Sequence, residues 1–144
     1  RAEQVRAVRL KHDVDITAFG HPYGFIPEGS VMIEADSDLR SLAAEVAVDM
    51  GIELYEGIIA TGDQFVASAE RKEWIEKTFN ADALEMEGAS VACVCQNFNV
   101  PFFVLRAISD AADGEAGMDF DTFLKSSASV SAKFILEMVA RIGH

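Results

Sequence analysis

Helix-like and strand-like segments alternate along this chain from residue 36 onward. The first helix is predicted by apolar residues at helical spacing, namely Leu39, Leu42, Ala43, Val46 and Met50. D-S-D at 36–38 offers caps for its start, and Gly51 is a stop signal. The segments that follow are a strand at 52–60, a helix capped by Ser68 that buries Trp74, Ile75 and Phe79, a strand at 82–86, a helix at 88–98, a strand at 100–108 and a last long helix opened by D-F-D-T-F-L. This alternation, with strands that are apolar on both faces, predicts an α/β fold with a mostly parallel sheet flanked by helices on both faces.

The first 36 residues lack this rhythm and are predicted to be irregular, with a strand end at most around Val8 and Leu10. The segment 12–29 is rich in glycine, proline and aromatic residues, which is typical of a long loop that carries function or covers a partner. We find no repeat and no linker, so residues 1–144 are expected to form a single domain. The inner face of the last helix is expected to comprise Phe120, Phe123, Leu124, Phe134, Ile135, Met138 and Ile142.

Charge and cysteine content restrict the partners. The net charge is -12 and the 12 basic residues form no long run, which argues against a nucleic-acid or anionic-membrane partner. No apolar run reaches the roughly 18 to 20 residues that a membrane span needs. Cys93 and Cys95 fit neither a redox pair nor a zinc-ligand spacing, and are interpreted as small buried hydrophobic residues in a reducing compartment. We therefore expect a soluble, acidic, cytoplasmic domain that needs no metal and no cofactor.

Three polar clusters follow three of the predicted strands. T-G-D-Q-F comes after Ala60, E-M-E after Leu84, and S-D after Ile108. In open α/β sheets, ligands bind beyond the carboxyl ends of the strands. The sequence therefore predicts one binding site where the three clusters meet. Patterns typical of metallopeptidases, triad hydrolases, P-loop NTPases and dinucleotide-binding proteins are absent from the sequence.

The S-D pair closes the most hydrophobic predicted strand. A carboxyl group there would be partly desolvated, which raises its pKa and makes Asp110 a candidate general acid. Alternatively, Ser109 and Asp110 only begin a loop and bond to its backbone amides.

The E-M-E cluster and the aromatic residue after the T-G-D turn also have two interpretations. Glu85 and Glu87 could accept paired hydrogen bonds from a diol, because a carboxylate has acceptor capacity on both oxygens. Alternatively, Glu87 complements a helix dipole and Glu85 pairs with a buried donor such as Arg106. Phe65 could stack on a planar base, or it could fill a gap in the core.

The order and spacing of these motifs resemble the 5'-methylthioadenosine/S-adenosylhomocysteine nucleosidases, which belong to the nucleoside phosphorylase and nucleosidase fold family. The matching stretches are H-D-V-D-I-T-A-F-G, T-G-D-Q-F, L-E-M-E-G-A-S, F-N-V-P-F-F-V-L-R-A-I-S-D-A-A-D and F-D-T-F-L. They extend from about residue 12 to the C-terminus. S-D and E-M-E are shared by the whole superfamily, whereas H-D-x-D-x-T-A-F-G and N-F-N-V-P-F point to the nucleosidases.

The resemblance implies roles for the clustered residues. The residue matching Glu87 binds the ribose hydroxyls, and the one matching Met86 packs beside the sugar. Asp110 corresponds to the residue that protonates N7 of adenine as the glycosidic bond breaks, with Ser109 in support. Phe65 corresponds to the residue that stacks on the purine.

Four further implications concern the edges of the ligand and the quaternary structure. The backbone at Val66 is expected to read the adenine edge, and Phe120 to lie near the ribose and alkylthio group. Phe19 and Pro27 match a loop that, in family dimers, covers the alkylthio tail in the neighbouring subunit. A homodimer that binds a small nucleoside is therefore expected.

The family's N-terminal half, with the glutamate that activates water, has no counterpart in these residues. We therefore expect a nucleosidase of methionine salvage and methyl-cycle recycling with an incomplete active site, which by itself is not an autonomous catalytic monomer. If it does turn over substrate, a replacement base is sought among Asp13, Asp15 and Glu28. The alternatives are a purine nucleoside phosphorylase-like enzyme and a non-catalytic fragment that binds adenine nucleosides.

Overall fold

A computed structural model describes residues 3–27, 31–108 and 120–142, with the backbone alone at 3–8 and 120–125. The described strands are β1 (Glu3–His12), β2 (Ile33–Glu34), β3 (Leu54–Thr61), β4 (Ala83–Glu85) and β5 (Leu105–Ile108). The described α-helices are α1 (Ser37–Met50), α2 (Ala69–Phe79), α3 (Gly88–Asn97) and α4 (Phe120–Ile142), and a short 3-10 helix covers Thr17–Phe19. The α/β class is thereby confirmed.

The sheet is mixed. Its main path runs β2-β1-β3-β4, and β5 pairs with β1. β1 is parallel to β3 and β3 to β4, whereas β2 and β5 are both antiparallel to β1. Parallel pairing is thus less dominant than expected. β2 is antiparallel because the chain returns to β1 through a loop, without the crossover helix that parallel neighbours need.

The expectation that residues 1–36 are irregular is wrong, because β1 spans ten of them. The register between β1 and β3 shifts between Ala7 and Arg9, which is a β-bulge or similar irregularity. An extra residue changes the phase of the apolar alternation in a strand. The apolar residues of β1 stand at odd positions up to Ala7 and at even positions from Val8, so no single two-residue period marks this strand in the sequence.

The strand predicted at 100–108 is also shorter than expected, because regular pairing covers Leu105–Ile108 only. Pro101 has no N–H to give to a ladder. The carbonyl of Phe102 accepts from the backbone N–H of Asp36, 3.0 Å away, and so serves the start of α1 instead of a neighbouring strand.

The predicted helix ends are confirmed. The side chain of Asp36 accepts from the backbone N–H groups of Asp38 at 3.0 Å and Leu39 at 2.9 Å. Gly51 ends α1 in the left-handed region, with φ of 63°. Ser68 caps α2 by accepting from Arg71 N at 3.2 Å.

Helices cover both faces of the sheet. Neighbouring residues of a strand point to opposite faces, and Ile59 packs with α3 residues Ala89 and Ala92, whereas Ala60 packs with α2 residues Ile75 and Phe79. A third cluster joins α1 to α4 and comprises Ala43, Val46, Ala47, Phe134 and Met138. The polar groups that end β3 and β4 therefore emerge between two packed layers.

Two side-chain expectations need correction. Ile135 and Ile142 are exposed, because the buried stripe of α4 is limited to the positions that meet α1, such as Phe134 and Met138. Cys93 and Cys95 are free but only half-buried. Phe120, Phe123 and Leu124 lie outside the described side chains. Within the described residues, no helix is long and apolar enough to cross a membrane.

Candidate functional site

The T-G-D-Q-F and E-M-E clusters meet at one edge of the sheet, as predicted. Thr61 and Glu85 end the parallel strands β3 and β4 and lie opposite each other. Gly62 N donates to Glu85 O at 3.1 Å, and Asp13 N donates to Thr61 O at 2.9 Å. The carboxyl ends of β1, β3 and β4 are thus tied together by backbone hydrogen bonds.

Glu85 is enclosed and fully engaged by its own chain. Its side chain is 9% exposed. Oε1 accepts from the hydroxyl of Thr61. Oε2 accepts from Glu87 N at 3.0 Å, from Gly88 N at 2.7 Å and from the guanidinium of Arg106. This arrangement matches the alternative in which Glu85 pairs with Arg106, since both oxygens already have donors.

Burial and hydrogen bonding act on Glu85 in opposite directions. Desolvation alone would raise the pKa of this carboxyl group. This effect of burial is outweighed by hydrogen bonds from Thr61 and from the backbone of Glu87 and Gly88, and by the charge of Arg106. The pKa of Glu85 is therefore lowered below its ordinary value. Glu85 therefore stabilises the turn as a carboxylate.

Glu87 faces outward from the same turn. It is the N-cap residue of α3, makes no side-chain cap bond, and its side chain is 67% exposed. Oε2 lies 3.0 Å from Nη2 of Arg106, so the guanidinium holds the two glutamates together. An exposed carboxylate fixed on one side by an arginine keeps free acceptor positions for a hydroxyl pair.

The turn approaches the core so closely at its end that a side chain on Gly88 would force a neighbour to shift. A Cβ at Gly88 would lie 2.7 Å from Cδ2 of Leu10 and 3.0 Å from Oε1 of Glu85. Met86, between the glutamates, is 40% exposed and is available to an adjacent ligand.

A cleft of about 300 Å³, its open mouth included, lies beside the E-M-E turn. Its lining includes Asp13, Thr61, Gln64, Val66, Arg71 and Glu85. Arg71 lies 4.1 Å over the ring of Trp74, and its Nη2 is 3.8 Å from Asp13 Oδ2. Charged groups of both signs, Arg71 and Asp13, thus line the cleft together with Glu85.

Phe65 lies in the sequence between Gln64 and Val66, which both line the cleft, and is 82% exposed. The interpretation that it fills a gap in the core is therefore wrong. Val66, the next residue, is half-buried and packs against the cluster formed by Ala60, Ile75 and Phe79. The ring of Phe65 is therefore exposed to solvent, on a segment that the packing of Val66 anchors.

The described part of the loop that follows β1, residues 13–27, is held by hydrogen bonds within it and by a ring contact with α2. Oδ1 of Asp15 accepts from Thr17 N at 3.0 Å, and Gly24 N donates to Val14 O at 2.9 Å. Tyr23 meets Trp74 edge to face, with ring centroids 5.3 Å apart. Phe19, at the end of the 3-10 helix, is 81% exposed.

Most of this chain matches the model of a known protein family. The model of the "Phosphorylase superfamily" matches residues 4–140. This chain belongs to the phosphorylase superfamily. The resemblance inferred from the motifs is thereby confirmed at the superfamily level.

Relatives of this superfamily member carry two kinds of name. An "Aminodeoxyfutalosine nucleosidase" of Helicobacter pylori is 59% identical over 130 residues, which cover 90% of this chain and 56% of the relative. A "5'-methylthioadenosine/S-adenosylhomocysteine nucleosidase" of Actinobacillus succinogenes is 44% identical over 132 residues, covering 91% and 57%. The chain thus spans a little over half the length of these relatives.

A solved structure agrees with both comparisons. The 5'-methylthioadenosine/S-adenosylhomocysteine nucleosidase of Campylobacter jejuni superimposes with a TM-score of 0.94 at 50% identity. The match covers 97% of this superfamily member and 62% of that chain. The strand and helix arrangement described above is therefore the same as in the corresponding part of that structure.

Not every predicted site residue can be placed. Ser109 and Asp110 lie outside the described residues, and only the backbone of Phe120 is described. Because β5 runs antiparallel to β1, strand direction does not support the expected meeting of the S-D cluster with the other two. The side chain of Arg106 supplies the observed link between β5 and the E-M-E turn.

Sequence reasoning missed Thr61. This residue belongs to the quoted T-G-D-Q-F motif, but only the aromatic residue and its neighbour were singled out. A hydroxyl residue that ends an otherwise apolar strand was the available signal, because a buried hydroxyl group needs a hydrogen-bond partner.

Proposed function

We propose that this chain supplies the adenosine-recognition part of a nucleosidase that hydrolyses the N-glycosidic bond of a 5'-substituted adenosine and releases adenine. The observation that carries the proposal is the exposed carboxylate of Glu87 at the start of α3, which Arg106 of β5 holds on one side. The names of the relatives give three candidate substrates: methylthioadenosine, S-adenosylhomocysteine and aminodeoxyfutalosine.

In the proposed chemistry, the glycosidic bond breaks and its electron pair moves to the purine. Asp110 donates a proton to N7 of adenine, with Ser109 in support, and this neutralises the leaving group. Positive charge develops on the ribosyl ring, where the carboxylate of Glu87 stabilises it. Water then adds at C1' and loses a proton to a base.

Recognition of the ligand is divided among the remaining residues. Phe65 stacks on the purine, the backbone of Val66 binds its edge, and Met86 packs against the sugar. The exposure of Phe65 and Met86 supports these roles. Glu85 acts on the ribose through the turn that it stabilises, because its oxygens are already bonded.

We also propose that the alkylthio end of the ligand meets Phe120 and is covered by Phe19 and Pro27 of a second copy in a homodimer. The exposure of Phe19 and Pro27 on an ordered loop supports this assignment. Substrates with a thioether tail would place the enzyme in methionine salvage and methyl-cycle recycling.

The test is release of adenine from each of the three candidate substrates, with and without inorganic phosphate, when the N-terminal half of the family's fold is supplied together with this chain. Hydrolysis is expected to proceed equally in both conditions and to yield the free sugar. A requirement for phosphate would instead identify a nucleoside phosphorylase. Calorimetric binding of methylthioadenosine without turnover would identify a binding fragment, and no binding would contradict the proposal.

A further inference from the structure

Thr61 is a buried polar residue at the centre of the site, and the proposed chemistry gives it no role. It is 1% exposed at the end of β3. A hydroxyl group has one hydrogen to donate and two lone pairs that accept. Oγ1 donates to Oε1 of Glu85 and accepts from Ala89 N at 2.8 Å. Its orientation is therefore fixed from both sides.

The partner carboxylate passes this constraint on to the turn. Oε2 of Glu85 accepts from Glu87 N and Gly88 N, which are the backbone groups that set the path of the chain into α3. The same oxygen contacts Arg106, whose Nη2 also holds the side chain of Glu87. A continuous set of hydrogen bonds thus runs from Thr61 through Glu85 to the exposed carboxylate.

We propose that Thr61 is a positioning residue for recognition of the ribose hydroxyls. This inference rests on the proposed function, because it requires Glu87 to bind the diol. Thr61 is 1% exposed, and its hydroxyl group is already bonded to Glu85 and Ala89, so we assign it an indirect role. Its hydroxyl group fixes the rotation of the Glu85 carboxylate, and Glu85 in turn aligns the backbone and the arginine that hold Glu87.

Removing the hydroxyl group should affect one part of the ligand only. Without it, Oε1 of Glu85 loses a donor and Ala89 N loses an acceptor, so the carboxylate can turn away from the E-M-E backbone. Contacts with the purine depend on Phe65 and Val66, which follow Thr61 in the chain. This segment is anchored by the packing of Val66 against Ala60, Ile75 and Phe79 and not by the hydroxyl group. Loss of affinity should therefore depend on the presence of the ribose hydroxyls.

The experiment measures calorimetric dissociation constants of two ligands, methylthioadenosine and its 2',3'-dideoxy counterpart. The Thr61→Val variant keeps the shape of the side chain and removes its hydroxyl group. It is expected to weaken binding of methylthioadenosine by about tenfold, the effect of one lost hydrogen bond, and to leave the dideoxy ligand unchanged. Thr61→Ser keeps the hydroxyl group and should bind both ligands as the parent does.

Thr78→Val is the matched control, because it makes the same chemical change at an exposed position of α2. It should change neither dissociation constant. Melting curves establish that each variant is folded. If Thr61→Val does not fold, Thr61→Cys replaces it, since a thiol is only a weak donor and should show the same selective loss.

The outcomes separate this inference from the proposed function. A Thr61→Val chain that retains the parent's preference for the diol, or that loses both ligands equally, contradicts the positioning role alone. A parent chain that binds neither ligand contradicts the proposed function and the inference together. If the parent binds both ligands equally, nucleoside binding is supported, but the ribose hydroxyls are not recognised. That outcome contradicts the proposed role of Thr61.

Discussion

Nη2 of Arg106 lies 3.0 Å from Oε2 of Glu87 and also contacts Oε2 of Glu85, so one guanidinium joins the buried glutamate to the exposed one. The side chain of Glu85 is 9% exposed and that of Glu87 is 67% exposed. Two carboxylates that are separated by a single residue, Met86, therefore have different roles. The inner one builds the turn, and the outer one is left to meet a ligand.

Glu87→Gln should weaken nucleoside binding and slow cleavage together. The amide carries less negative charge and fewer acceptor positions, and the ribose hydroxyls contact this group both before and during bond cleavage. The expected loss of affinity for methylthioadenosine is about tenfold. Calorimetry and adenine release measure the two effects, and Glu76→Gln on the exposed face of α2 is the matched control. An unchanged dissociation constant would show that Glu87 serves only the helix end.

Phe65→Ala should weaken adenine-containing ligands by about 1 to 3 kcal/mol, the range for stacking of a base on an aromatic ring. The melting temperature should not change, because the ring is 82% exposed and fills no space in the core. Phe98→Ala provides the comparison, since Phe98 is 76% exposed at the end of α3. Equal losses in both variants would remove the stacking role.

In a preparation that restores activity by supplying the N-terminal half of the fold, Asp110→Asn should abolish cleavage of the glycosidic bond and leave substrate binding within about tenfold of the parent. A proton donor acts in the transition state, whereas the contacts that bind the ground state remain. Single-turnover adenine release and calorimetry are measured on the same preparation. Near-normal turnover would exclude Asp110 as the general acid.

The stability of the fold should depend on pH through Glu85. Because hydrogen bonds and Arg106 lower its pKa below the ordinary 4.5, its stabilising effect is complete above about pH 4.5 and is lost as pH falls through the folded-state value. The other charged groups around this region are Glu87, Asp13 and Arg71. Glu85→Gln should therefore cost about 1 to 3 kcal/mol near neutral pH and progressively less in acid.

Urea denaturation of the parent and the Gln variant at several values between about pH 3 and about pH 7 measures this difference. Glu45→Gln, at an exposed position of α1, makes the same change without the buried contacts. A gap between parent and Glu85→Gln that stays constant with pH would show that the carboxylate is not stabilised by its charge.

The sequence predicted the elements that follow simple local rules. Asp36, Gly51 and Ser68 are cap residues whose chemistry is local, and each ends or begins a helix where it was expected. The meeting of the T-G-D-Q-F and E-M-E clusters follows from parallel pairing of two strands that α2 connects. These features need no information about distant parts of the chain.

Other features depend on pairing that no local pattern encodes. The irregularity after Ala7 shifts the apolar alternation of β1. The strand also pairs with residues as distant in the sequence as Leu105 and Ile108. The direction of β5 follows from that long-range choice. The different roles of Glu85 and Glu87 likewise depend on the position of the Arg106 side chain. From the sequence alone, both the ligand-binding and the structural interpretation of these glutamates stayed open.

The close contact at Gly88 links the site to the interior. A single added methyl group there would press on Leu10, whose side chain is completely buried, and on Glu85. Engineering this protein for heat resistance by reshaping the core around Leu10 would therefore also move the groups proposed to hold the sugar. A library of such variants has to be selected for ligand affinity and for thermal tolerance at the same time, since neither trait can be optimised here without the other.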